Sequence, residues 1–167
     1  MNTFNLKQLI LMAAVAILSL DTQAQNLGYK TAIGWRFGGT QGLSIKAALK
    51  NQAAFEGIIA LWPYSMGVTG LYEVHKSTGT SHLNWYYGGG AHINWTTYRN
   101  YYYRAERKYF VREPRTTFGL DGIVGLEYKI PQTPIALSLD LKPTFNFHND
   151  GTAYAYLDPG LGLKFGF

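Results

Sequence analysis

The residues that could perform acid–base or metal chemistry are few and widely spaced. The chain has four histidines, His75, His82, His92 and His148, and no cysteine. Without cysteine, disulfides, cysteine–zinc sites and a cysteine nucleophile are excluded. No two histidines have a metal-site spacing such as HExxH. We therefore predict no catalytic, cofactor or metal site, and we interpret His92 as a hydrogen-bonded interior residue.

A second chemically distinctive segment is the basic, tyrosine-rich stretch 96–116. It has six cations against two acidic residues, Glu106 and Glu113. Arginine binds phosphate and carboxylate through paired hydrogen bonds, and it also stacks on aromatic rings. We predict that this segment contacts a polyanion through Arg99, Arg104, Arg107, Lys108, Arg112, Arg115, Tyr101, Tyr102 and Tyr103.

The first 24 residues read as a cleavable secretory signal. Residues 9–20 are uncharged and mostly apolar, Lys7 is the one preceding charge, and Thr22 and Ala24 are small residues before a cleavage site at Gln25. The apolar run is too short for a spanning helix, which needs about 20 residues. We predict a signal peptide over 1–24 and one domain over 25–167.

After residue 25 the chain alternates between apolar residues and small or charged ones. This period of two predicts β-strands. Eight strands are indicated, within 29–37, 43–49, 54–62, 67–76, 84–95, 117–130, 135–146 and the stretch ending at Phe167. The predicted fold is all-β, an eight-stranded antiparallel up-and-down transmembrane β-barrel.

Two features favour a membrane barrel over a secreted sandwich or lipocalin-like barrel. The polar faces of the strands are rich in Gly, Ala and Ser, as a narrow interior requires. Aromatic residues cluster at strand ends, as in interfacial girdles. These are Trp35, Phe37, Trp62, Tyr64, Trp85, Tyr86, Tyr87, Trp95, Tyr154 and Tyr156.

The alternation also assigns six acidic and six basic residues to the interior of the barrel. Buried charges require partners, so we expect a lumen plugged by ion pairs and no open channel. The acidic residues are Glu56, Glu73, Asp121, Glu127, Asp140 and Asp158. The basic residues are Lys30, Arg36, Lys46, Lys129, Lys142 and Lys164.

An even number of strands places both chain ends on the periplasmic side, with connections that alternate between the two sides. We predict periplasmic turns at 50–52, 77–82 and 131–134. The predicted outer loops are 38–41, 63–66, 96–116 and 148–152. An alternative for 96–116 is a protruding hairpin in which tyrosine pairs extend the strands.

Two runs resemble small outer-membrane β-barrel proteins of Bacteroidetes, of the opacity or OmpA/OmpX-like type. One run spans residues 83–92, and the other spans 119–128 and continues through a proline-containing turn into 137–143. The resemblance implies the barrel fold and an outer-membrane location. It also implies that Phe167, after Leu163 and Phe165, is the signal for the barrel-assembly machinery. It carries over no functional site, because members mostly lack an assigned biochemical role.

The expected function is therefore non-enzymatic, structural or surface-interacting, with no cofactor and with a monomeric state. The expected partners are outer-membrane lipid, lipopolysaccharide, the assembly machinery and an external polyanion such as a glycosaminoglycan or DNA. One alternative is a lipid A-modifying enzyme, for which His148 and Asp150 are the candidate pair. Another alternative is a small-solute channel.

Overall fold

A closed barrel of eight antiparallel strands makes up the protein. The computed structural model describes residues 27–104, 107–148 and 151–167, and it describes side chains outside 97–114. The strands are β1 (Thr31–Gly38), β2 (Gly42–Ala48), β3 (Ala53–Trp62), β4 (Ser65–Ser77), β5 (Leu83–Arg104), β6 (Arg107–Lys129), β7 (Ile135–His148) and β8 (Ala153–Gly166).

Each strand pairs with the next along the chain, and β1 closes the barrel by pairing with β8. This last seam runs from Ala32 opposite Gly166 to Gly38 opposite Gly160. The predicted eight-stranded antiparallel barrel is confirmed. The predicted signal peptide over 1–24 lies outside the described residues.

Polarity in this barrel is inverted relative to a water-soluble protein. Charged side chains such as Lys46 and Glu73 are fully buried inside. Large apolar side chains face outward, and Leu139, Leu161 and Phe165 are 56%, 59% and 50% exposed. This is the alternation of a barrel with an apolar outer wall and a polar interior. No helix in the described part of the chain is long and apolar enough to cross a membrane.

The connections fall into two sets at opposite ends of the barrel. We call one end the turn end, because it holds the short turns 49–52, 78–82 and 130–134. We call the other the hairpin end, because β5 and β6 extend beyond their neighbours there. The β2–β3 turn is tight, since Asn51 and Gln52 both have positive φ, 60° and 63°, the backbone of a type I′ hairpin turn.

The segment 96–116 is not an irregular loop, so that part of the prediction is wrong. Its backbone continues β5 and β6 as a paired ladder up to Arg104 opposite Arg107. The protruding hairpin, the alternative kept open from the sequence, describes this backbone. The strands extend because pairing needs backbone hydrogen bonds and not an apolar face.

The interior side differs from the predictions at two places. Lys30 is exposed and Tyr29 is buried, because the chain reaches β1 through Gly28 at a φ of 73°. Lys129 keeps the predicted interior side, since its Cα partner is the buried Ala136, but it is half-buried at the mouth, where its Nζ donates to the Thr133 carbonyl. Tyr154 and Tyr156 are Cα partners of the buried Asn146 and Thr144, so both lie on the interior face instead of in an outer girdle.

Candidate functional site

Charged side chains fit inside this narrow barrel because glycines stand at neighbouring interior positions. A β-carbon on Gly160 would overlap the Arg36 guanidinium, and one on Gly119 would overlap the His92 ring. Close packing also occurs at 88–90, since β-carbons on Gly88 and Gly90 would overlap the Tyr72 and Gly70 carbonyls. The small residues of the polar faces therefore leave room for the side chains that fill the lumen.

The interior charges form two networks, and the first lies toward the turn end. In this turn-end network the Lys46 ammonium contacts three carboxylates, at 2.7 Å to Glu73, 3.0 Å to Glu56 and 3.1 Å to Glu127. Lys164 is a second cation, 3.0 Å from Glu56. All of these side chains are at most 3% exposed, so each charge depends on its partners and not on bulk water.

Neutral groups complete the turn-end network. The Tyr29 hydroxyl donates to Glu127 at 2.5 Å, and the Ser44 hydroxyl donates to Glu56 at 2.5 Å. Tyr29 precedes β1, and its burial next to Glu127 raises the pKa of its hydroxyl well above the ordinary value. The burial of Tyr29 is not predictable from the sequence, because strand alternation assigns this residue to the outer face.

The second network lies toward the hairpin end. In this hairpin-end network Arg36 contacts Asp140 at 2.6 Å and Asp158 at 3.1 Å. Lys142 contacts Asp121 at 3.1 Å. His92 lies between Asp121, at 2.8 Å from its Nδ1, and Asn146, at 3.1 Å from its Nε2. The interpretation of His92 as a hydrogen-bonded interior residue is therefore correct.

The hairpin-end network also holds the connection between β1 and β2. Asp158 accepts hydrogen bonds from the backbone N–H groups of Gly39, at 2.8 Å, and Thr40, at 3.0 Å. Arg36 donates to the Thr40 carbonyl at 2.8 Å. These bonds hold the short β1–β2 connection against the hairpin-end network at the mouth of the barrel.

Tyr86 joins the two networks. Its ring stacks on His75, and the Lys46 ammonium lies 4.5 Å from the centroid of the Tyr86 ring. Its hydroxyl points the other way, 3.5 Å from Asp140. His75 in turn lies 3.0 Å from Glu73. The position of His75 two residues after Glu73 puts both on the same interior face, as strand alternation requires.

The predicted balance of six interior acids and six interior bases is wrong. All six acidic residues lie inside, but only Arg36, Lys46, Lys142 and Lys164 of the basic set join them. Lys30 and Lys129 belong to the turn end, as described above. Each network thus has three carboxylates, two permanent cations and one histidine in contact with a carboxylate.

The structure describes only His148 of the candidate enzymatic pair, His148 and Asp150. His148 is half-buried near the hairpin end, 2.9 Å from the Thr117 hydroxyl and stacked on Tyr154. Asp150 lies outside the described residues. Among the described residues, no group of three or more histidine or acidic side chains could hold a metal ion.

The backbone register of the 96–116 hairpin pairs cations with cations. Arg99 is the Cα partner of Arg112, and Arg104 is the partner of Arg107. Between these two pairs the register places Tyr101 opposite Phe110 and Tyr102 opposite Tyr109. Like charges directly opposite one another destabilise a sheet. Opposed arginines at these positions therefore do not help to stabilise the hairpin itself.

At the other end of the chain, Phe167 lies beside β1. Its backbone carbonyl accepts hydrogen bonds from Lys30 and Thr31 at 3.0 Å, and its side chain is 65% exposed. Together with Leu163 and Phe165 it continues the outward apolar face of β8. The role of Phe167 as an assembly signal stays a prediction.

Two solved structures resemble this barrel. The N-terminal β-barrel domain of Pseudomonas aeruginosa OprF matches with a TM-score of 0.53 and 16% sequence identity, over 82% of this chain and 95% of that one. Neisserial surface protein A matches with a TM-score of 0.53 and 12% identity, over 82% of this chain and 93% of that one. No protein-family model and no curated protein matches the sequence. The chain has the closed eight-stranded antiparallel fold of outer-membrane barrel structures.

Proposed function

We propose that this protein is a monomeric, non-enzymatic barrel of a Gram-negative outer membrane, whose 96–116 hairpin contacts an anionic surface outside the cell. The observation that carries the location is the inverted polarity, with an apolar outer wall around buried charges. An open sheet could not satisfy its backbone in lipid, but a closed barrel does. The likeness to two outer-membrane barrels supports the same location.

The location is tested by fractionation combined with gel mobility. A closed barrel in the outer-membrane fraction should migrate differently before and after boiling, because detergent alone does not unfold it. A protein that is soluble in the periplasm and shows no mobility shift would contradict the membrane proposal. The apolar wall would then need a protein partner to cover it.

The proposed barrel conducts no solutes. Both networks lie across the lumen with side chains at most 3% exposed, and an eight-stranded barrel has an interior just wide enough for side chains. We expect near-zero conductance in planar bilayers. Stable single-channel steps from the purified wild-type protein would show that the networks do not plug the lumen and would favour the channel alternative.

The anion contact is supported by the opposed arginines of the hairpin. The backbone register places Arg99 opposite Arg112 and Arg104 opposite Arg107. Like charges at directly opposite positions destabilise a sheet, so a bound anion would stabilise this arrangement. Phosphate and sulfate groups suit arginine because it offers paired donors. Lipopolysaccharide phosphates are the anions nearest to an outer-membrane hairpin, and an external glycosaminoglycan or DNA is the second candidate ligand.

Binding is tested with paired substitutions that remove whole cross-strand pairs. Arg99→Gln with Arg112→Gln, and separately Arg104→Gln with Arg107→Gln, should each weaken binding of lipopolysaccharide or heparin about tenfold. The matched control replaces the same pairs by lysine, which keeps the charge but loses the planar, bidentate donors. Wild-type binding should weaken with salt. Unchanged affinity in both glutamine variants would exclude the hairpin as the contact surface.

The absence of catalysis is part of the same proposal. A strain without this protein should have lipid A of unchanged mass. An altered acylation pattern that is restored by the wild-type protein but not by His148→Ala would instead favour the lipid A-modifying alternative.

A further inference from the structure

The turn end of the barrel has four lysines at its rim. We call Lys30, Lys50, Lys76 and Lys129 the lysine rim. Lys30 precedes β1, Lys50 lies in the β2–β3 turn, Lys76 lies near the end of β4, and Lys129 ends β6. The first three are exposed and the fourth is half-buried at the mouth.

No acidic side chain in the described part of the chain balances this rim. The nearest carboxylates, Glu56, Glu73 and Glu127, are buried in the turn-end network with Lys46 and Lys164. The described ion pairs include none of the four rim lysines, and Lys129 contacts only the Thr133 carbonyl. Among the side chains that the structure describes, the charged ones at the surface of the turn end are therefore all basic.

The lysines surround the barrel and do not converge on one point. Neighbouring members of the rim are one to three strands apart, and strands are about 4.8 Å apart. The separations therefore reach about 14 Å, which is too wide for one phosphate to bridge adjacent lysines at every position. A surface that carries many separate anionic groups matches this spacing better than a single small ligand does.

Lys76 indicates which anionic surface this is. Its Cα partner across the β4–β5 ladder is Trp85, and both side chains are exposed on the outer wall. Tryptophan and lysine at the end of an apolar wall are characteristic of the membrane interface, where the lysine stem crosses apolar surface and its ammonium reaches the headgroups. Lys76 thus continues the outer wall that would contact lipid, whereas Lys129 lies at the mouth on the interior face.

We infer that the lysine rim binds anionic phospholipid headgroups of the leaflet at the turn end, which is the periplasmic leaflet in the proposed orientation. The inference rests on the proposed membrane location, and it is independent of the hairpin at the other end. Basic side chains near an anionic bilayer surface attract its headgroups. Lipids with negative headgroups should therefore be enriched around the barrel.

The test measures lipid selectivity on the full-length protein. The protein is reconstituted in phosphatidylcholine vesicles that contain trace spin-labelled phosphatidylglycerol or phosphatidylcholine, and the immobilised fraction of each lipid is compared. We expect wild-type protein to prefer phosphatidylglycerol by about twofold or more, and we expect salt to reduce this preference. Replacing all four rim lysines by glutamine should bring the ratio of immobilised phosphatidylglycerol to immobilised phosphatidylcholine close to one.

Two further variants make the result specific. If the quadruple variant does not fold, the triple variant Lys30→Gln, Lys50→Gln and Lys76→Gln replaces it, because it retains the Lys129 contact. The triple variant should lose most of the preference for phosphatidylglycerol. The matched control replaces Lys30, Lys50 and Lys76 by arginine, which keeps the three positive charges of the rim. This control should keep the phosphatidylglycerol preference.

Each other outcome has a distinct meaning. A protein that inserts and shifts on heating but selects no lipid, or that keeps its selectivity without the lysines, overturns the rim proposal alone. Loss of selectivity in the arginine control as well as in the glutamine variants also overturns it, because positive charge at the rim would then not be what selects the lipid. Soluble polyphosphate that binds through the rim without any lipid preference would assign the rim to a soluble anion. Failure to insert in any vesicle would contradict the membrane proposal itself.

Discussion

The turn-end and hairpin-end networks have the same charge composition but different attachments. Each holds three carboxylates, two permanent cations and one histidine. The turn-end contacts join only side chains, centred on Lys46. In the hairpin-end network, Asp158 and Arg36 also bind the backbone of the β1–β2 connection. The comparison indicates that two networks of the same charge composition can differ in what they hold: side chains alone at one end, and also a connection between strands at the other.

The largest effect should come from removing the central cation of the turn-end network. Lys46→Met leaves Glu56, Glu73 and Glu127 with too few partners in a site without bulk water. We expect the free energy of unfolding to fall by about 3–5 kcal/mol. Urea unfolding followed by tryptophan fluorescence measures the loss, and Lys50→Met, at an exposed turn position, is the control. A loss below about 1 kcal/mol would mean that the lumen admits water.

A smaller effect should follow from removing the corresponding cation of the hairpin-end network. Arg36→Met leaves Asp158 with its two backbone N–H donors and with Lys142 at 3.7 Å. We expect a loss of about 2–3 kcal/mol, together with faster hydrogen exchange at residues 39–41. If Arg36→Met costs more than Lys46→Met, or if exchange at 39–41 is unchanged, the comparison between the networks fails.

A steric change should disturb only the hairpin-end network. In Gly160→Ala the added β-carbon overlaps the Arg36 guanidinium, which must move away from Asp140. We expect a loss of about 1–3 kcal/mol. The control is Gly57→Ala, because a β-carbon there lies 4.0 Å from its nearest neighbour, the Ile45 carbonyl oxygen. Equal effects of the two substitutions would show that strand propensity and not the guanidinium position sets the cost.

The smallest effect should come from the residue that joins the networks. Tyr86→Phe removes a long hydrogen bond to Asp140, at 3.5 Å, and keeps the ring against His75 and Lys46. We expect a loss of at most about 1 kcal/mol. A double-mutant cycle of Lys46→Met with Arg36→Met should then show a coupling below about 0.5 kcal/mol. A larger coupling would make the two networks a single unit.

The sequence predicts the wall of this barrel better than it predicts the contacts inside. Alternation correctly assigns all six interior acids and four interior bases, because each strand has one face toward the lumen. It fails at Lys30, which precedes β1, and it does not show that Lys129 lies at the mouth and outside both networks. It also cannot pair Lys46 with Glu127, 81 residues away, because barrel closure and strand stagger determine which interior positions meet.

The length of the 96–116 hairpin was unpredictable for a related reason. Where arginine and tyrosine occupy both faces, no apolar alternation marks the strands, although the backbone still pairs. The ligand of this hairpin, the Bacteroidetes origin implied by the resemblance and the porin-like family relation stay predictions. None of them follows from a fold that is shared at 12–16% identity.

The seam between β1 and β8 has a consequence for how the protein is made. Arg36 on β1 finds Asp158 on β8, and Lys164 on β8 finds Glu56 on β3, across 122 and 108 residues of chain. In a chain that emerges in order, Arg36 lacks Asp158 and Glu56 lacks Lys164 until β8 arrives, although Glu56 already has Lys46 on β2 as a partner. Closing the barrel and completing these ion pairs are therefore one late event, with the slow kinetics expected of contacts so distant in sequence. An incomplete barrel would expose unpaired charged side chains as well as unpaired backbone groups. Proteases could recognise an incomplete barrel by either feature.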